Sequence, residues 1–174
     1  MTQDSIRLKY IVTAVNQLKN IGPTTDAPFK FAYEKSPLDG MNDDDDIRLP
    51  LETCTITGRI FPKSDIYKTG SLRIDIKVHP ECPAKPPKVV FTATIFHPNV
   101  DKDGEICTDL LNPLSKTWKP YVSFNTIIEE VTKVVDEPLT DLVQHPEAAS
   151  LWANDRAAYN DQATKYFLKA SVPH

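Results

Sequence analysis

Residues 72–78 alternate without a break: Leu72, Ile74, Ile76 and Val78 are apolar, and Arg73, Asp75 and Lys77 between them are charged. Successive side chains of a strand point to opposite faces, so this pattern specifies a strand with one dry and one wet face. A sheet left wet on one side is antiparallel, because parallel sheets are covered on both faces by their crossover helices. Neighbouring segments obey the same rule. Phe29, Phe31 and Tyr33 recur at every second position, Leu49 to Ile60 is rich in Thr and Ile, and Lys88 to Thr92 supplies a fourth strand. The spacing predicts an antiparallel meander.

Helical periodicity flanks the strands. Leu8, Ile11, Val12, Val15 and Leu18 mark an amphipathic helix over residues 5–20 that Gly22-Pro23 ends. Ser123 can cap a helix whose Phe124, Ile127, Ile128, Val131, Val134 and Val135 form a broad buried stripe. Pro146 can open a third helix running through Trp152, and Asn154 or Asp155 can cap a last one bearing Tyr159, Ala163, Tyr166 and Phe167. Helices kept apart from an antiparallel sheet define the α+β class, and 174 residues without internal repeats suit one domain, 1–174.

Composition narrows the function classes. Twenty basic against 24 acidic residues give a net charge of −4 with no dense Lys/Arg cluster, which disfavours nucleic-acid binding. No stretch approaches a membrane span, and Met1 to Arg7 lacks the apolar run of a secretory signal, so a cytoplasmic or nuclear protein is expected. Cys54, Cys82 and Cys107 are odd in number and widely spaced, and no Cys-x-x-Cys pair suggests zinc or redox chemistry. Each is therefore a buried small residue or a reactive thiol. The acidic run Asp43 to Asp46 reads as a solvated loop.

From Ala93 to Tyr121 neither period holds, yet apolar residues persist, which marks a functional loop rather than a disordered one. Prolines cluster at Pro83, Pro86, Pro87 and Pro98 and mark the sheet edge turning into a stiff loop rather than a linker. Inside the loop stand Phe96-His97-Pro98-Asn99 and, after seven more residues, Cys107. Asp101 to Gly104 has turn composition, so the chain can double back and bring Asn99 to the cysteine. A thiol beside an amide suits acyl transfer: sulfur holds the acyl group, and the Asn N–H donors stabilise an oxyanion or pin the loop that does so. The competing readings are a buried Cys with a turn-forming Asn, and His97 as a general base.

The string from Cys82-Pro83-Ala84-Lys85-Pro86-Pro87-Lys88-Val89, through Phe96-His97-Pro98-Asn99 and Gly104-Glu105-Ile106-Cys107, to Trp118-Lys119-Pro120 resembles the catalytic core of ubiquitin-conjugating enzymes. Pro146-Glu147-Ala148-Ala149 and Asn154-Asp155-Arg156-Ala157 resemble the family's C-terminal helices, and the likeness runs over residues 5–170. The resemblance implies that Cys107 accepts the C-terminal carboxyl of ubiquitin, or of a modifier such as NEDD8, from an ATP-dependent activating enzyme. It implies transfer to a substrate lysine, usually with a ligase, and no cofactor, metal or nucleotide bound to the chain itself. Asn99 would be catalytic, and His97 with Pro98 would build the active-site loop. The first helix, Pro83, Ala84, Pro86, Pro120 and Tyr121 would meet the activating enzyme and the ligase. A hydrolase built on Cys107 and His97, and a non-catalytic scaffold, are the alternatives from other classes.

Four departures stand out. Ala84 replaces a common Phe, and Thr108 a common Leu. The turn Asp65 to Gly70 is lengthened and also looks like that of NEDD8-conjugating enzymes. In the segment Glu137 to Leu142 the family's acidic position falls on Leu142, which leaves Asp141, one residue earlier, as the candidate third catalytic group.

Overall fold

The computed structural model describes residues 2–22, 29–41 and 52–173. Helix α1 (Gln3–Ile21) begins two residues before the periodic stretch, because the Thr2 hydroxyl accepts the Ser5 N–H at 3.2 Å and caps it. Gly22, at φ 68°, ends it in a conformation other residues rarely adopt. Ile11, Ala14, Val15 and Leu18 form the buried stripe. Four strands follow: β1 (Phe31–Lys35), β2 (Cys54–Ile60), β3 (Leu72–Val78) and β4 (Lys88–Phe91). They pair antiparallel in the order β1-β2-β3-β4, the predicted meander. In β3 the apolar four are buried and Arg73 is exposed, as the alternation requires.

Some boundaries move. The second strand begins at Cys54, later than the expected Leu49, and Leu49 itself lies outside the described residues, as does the acidic run Asp43 to Asp46. Phe29 stands before β1, whose register shifts between Tyr33 and Lys35. The fourth strand stops at Phe91, one residue short of Thr92.

The dry face of the sheet carries α2 (Phe124–Asp136), whose predicted apolar stripe is buried. Ser123 caps it, accepting the Thr126 N–H at 3.2 Å. Burial of each Ile, Val or Phe contributes roughly 1.5–3 kcal/mol, so this stripe anchors the helix to the sheet. On the wet face, Glu34 lies between Arg59 and Arg73, at 3.1 and 2.7 Å. Helix α3 (Pro146–Asn154) extends beyond the expected Trp152, and α4 (Arg156–Ala170) is capped by Asp155, which accepts the Ala158 N–H at 3.0 Å. Phe96, Ala148, Tyr159 and Ala163 form a smaller core that joins this pair to the start of the long loop. Among the described residues no helix is long and apolar enough to cross a membrane.

Candidate active site

Between β4 and α2 the chain doubles back at Asp101 to Gly104. The Asp101 carboxylate accepts the N–H groups of Asp103 and Glu105, both at 2.9 Å, and Gly104 N–H reaches the Asp101 carbonyl at 3.1 Å. Gly104 sits at φ 84°, and a Cβ there would lie 2.8 Å from the Phe91 carbonyl oxygen, so only glycine fits. The return sets Val100 against Ile106, and the Cys107 N–H donates to the Asn99 carbonyl at 2.8 Å. Sequence composition alone foresees this approach of Asn99 to Cys107.

The three residues before the turn tie the site to the helices. His97 accepts the Asn99 N–H at Nδ1, 3.0 Å, which leaves Nε2 to carry the proton it donates to the Val134 carbonyl at 3.1 Å. The ring is completely buried, and burial holds its pKa down at about 4. With both ring nitrogens engaged and the imidazole neutral, His97 cannot serve Cys107 as a general base. The Pro98 carbonyl accepts two N–H groups, from Gln144 at 2.8 Å and His145 at 3.0 Å. The buried Asn99 amide donates to the carbonyls of Leu139 (2.8 Å) and Leu142 (2.9 Å) and accepts the Leu139 N–H at 2.8 Å. One tripeptide thus holds the end of α2, the turn after it and the approach to α3. The far partners are main-chain groups, for which sequence offers no signal. His145 is likewise unforeseen as the α3 cap: its Nδ1 accepts the Ala148 N–H at 3.2 Å.

Cys107 is partly exposed, whereas Cys54 and Cys82 are 1% and 0% exposed. Burial, then the carboxylates of Glu105, Asp109 and Asp101, push the Cys107 thiol above the ordinary cysteine value. Asp141 is exposed, within the segment whose flanking residues Leu139 and Leu142 are clamped by Asn99. Sequence pattern did not single out Asp109, and it named Glu105 only within the Gly104 to Cys107 string. Among the described residues no three His, Cys, Asp or Glu side chains gather in a way that could hold a metal ion.

A second feature lies along α1. Ile6, Tyr10, Thr13, Pro83, Pro120 and Tyr121 are among the residues lining an open cleft of about 360 Å³, and Tyr121 is 84% exposed. Trp118 Nε1 donates to the Pro83 carbonyl at 2.9 Å and fastens the chain after Cys107 to this rim. Ala84 is exposed. Pro86, expected on the same surface, is instead buried, with its carbonyl accepting from His79 Nε2 at 2.9 Å, so it shapes the turn from beneath.

The sequence model of a known family, described as ubiquitin-conjugating enzyme, matches residues 33–167.

Proposed function

The chain belongs to the ubiquitin-conjugating enzyme family, and we propose that it carries ubiquitin as a thioester on Cys107. The observation that carries this reading is the pairing of a partly exposed thiol with the buried His97-Pro98-Asn99 clamp, through the Cys107 N–H on the Asn99 carbonyl. In the first step the Cys107 thiolate attacks the thioester carbonyl on an activating enzyme, and the activating enzyme's thiolate leaves. In the second, a substrate lysine amine attacks the new thioester, an amide bond forms, the carbon–sulfur bond breaks, and Cys107 leaves as thiolate. The lysine ammonium sheds one proton to solvent before it attacks, and the second, lost as the amide forms, goes to the departing thiolate or to solvent. The carboxylates of Glu105, Asp109 and Asp101 around the sulfur favour an approaching ammonium group.

Asn99 acts in this reading as the pin of the 139–142 turn, since its amide nitrogen and oxygen are all engaged there. The cleft along α1 is the meeting place for the activating enzyme and the ligase, which then compete. ATP is consumed by the activating enzyme, and the chain binds no cofactor. The lengthened Asp65 to Gly70 turn favours a second reading, in which the modifier is NEDD8. There Tyr67 is buried and packs edge-on against Phe167 at 5.3 Å.

The test is thioester formation with ubiquitin and with NEDD8, each with its own activating enzyme and ATP, read on non-reducing gels. Wild type, Cys54→Ala and Cys82→Ala are expected to form a reducible band with one modifier, and Cys107→Ala none. A reducible band in Cys107→Ala refutes the mechanism. Release of free modifier without ATP would instead identify a hydrolase.

A further inference from the structure

Thr108 follows the nucleophile directly and is fully buried although polar. Its carbonyl accepts the Asn112 N–H at 2.9 Å, and its Oγ1 accepts the Leu111 N–H at 3.2 Å. Those two bonds close one tight turn immediately after Cys107. Leu110 and Leu111 root the turn in the core, and Ser115 latches its outer side, with Oγ 2.5 Å from the Asp109 carbonyl and 2.9 Å from that of Asn112. On the other flank the Cys107 N–H is held by the Asn99 carbonyl. The nucleophile therefore sits between two fixed points. An apolar side chain at 108 would fill the same volume but leave the buried Leu111 N–H without this acceptor.

Asp109 projects from the turn into solvent between buried Thr108 and Leu110. Its carboxylate acts on the Cys107 thiol together with those of Glu105 and Asp101, and also on Glu130 of α2. Where Asp109 stands depends on the turn that Thr108 closes.

We infer that Thr108 is a positioning residue: its hydroxyl fixes the turn that aims Cys107 and from which Asp109 projects. The effect on transfer rests on the proposed thioester chemistry; the effect on the free thiol does not.

Thr108→Val removes the hydroxyl at nearly constant volume, and Thr108→Ser keeps it. Two measurements are made on the full chain: iodoacetamide alkylation of Cys107 across a pH series, and single-turnover discharge of preformed thioester to free lysine. In Thr108→Val the alkylation midpoint is expected to fall, because a loosened Asp109 no longer opposes the thiolate, and discharge to slow by up to about 10²-fold, the loss that a misplaced reacting group can bring. Thr108→Ser is expected to match wild type in both. Wild-type midpoint and discharge in the Val variant, or a Ser variant as impaired as Val, overturns the inference. Should the Val variant not fold, Ser115→Ala unlatches the same turn from outside, and an unchanged alkylation midpoint there overturns it as well. A wild type that never charges, but shows the expected thiol shifts, refutes the thioester reading and leaves the positioning role standing.

Discussion

Asn99→Ala separates a pin from an oxyanion donor. The substitution deletes three hydrogen bonds, to the Leu139 and Leu142 carbonyls and the Leu139 N–H, all between 2.8 and 2.9 Å. Each is worth a net ~0.5–1.5 kcal/mol, and the part-buried partners can regain water only by moving the turn. The loss should be about 2–4 kcal/mol, a large share of the 5–15 kcal/mol typical of a domain. With a urea slope near 2 kcal/mol per molar, the midpoint falls by about 1.5 M. Hydrogen exchange should accelerate at Leu139, Gln144 and His145, whose N–H groups lie in the clamped segment, more than in the strands. Charging of Cys107 should be nearly normal and discharge to lysine slow. If stability and exchange are unchanged while discharge drops roughly 10²- to 10³-fold, the loss expected of an oxyanion donor, then the amide turns toward the thioester during reaction and the pin is refuted.

His97 gives a pH signature. Its folded pKa of about 4 lies below the unfolded value near 6.5, so the unfolded chain binds the extra proton in this window. Stability is full above pH 6.5 and declines toward pH 4, by about 3 kcal/mol from this residue. Urea titrations of wild type should show that slope and those of His97→Gln should lack it; parallel curves would reject the assignment. The raised Cys107 thiol predicts that alkylation keeps rising with pH beyond the ~8.5 of an ordinary cysteine, and a plateau at or below that value in mass-spectrometric rate measurements contradicts it. For Asp141, lysine chase of charged enzyme across pH decides between two outcomes. Slower discharge in Asp141→Ala, relieved at high pH, supports its role with the attacking amine; an unchanged Asp141→Ala with a faster Leu142→Asp shows that the turn lacks the acid.

Local chemistry writes most of the scaffold into the sequence. Alternation in 72–78 specified a half-wet antiparallel strand, periodic stripes located α1 and α2, and Ser123 and the pair Asn154-Asp155, of which Asp155 is the cap, marked helix starts, because burial and capping act over a few neighbouring residues. The return at Asp101 to Gly104 was legible for the same reason, and with it the meeting of Asn99 and Cys107. What Asn99 holds was not legible. Its partners are main-chain groups at Leu139 and Leu142, and main-chain amides look alike in every residue, so only the packing of α2 onto the sheet decides which of them it meets. Packing equally decided that Pro86 is buried while Ala84 remains exposed, and that His97 is locked by Val134. It also decided that Thr108 turns its hydroxyl inward to the Leu111 N–H, since a side chain's partners depend on which segments the core presses together, far apart along the chain or a turn away.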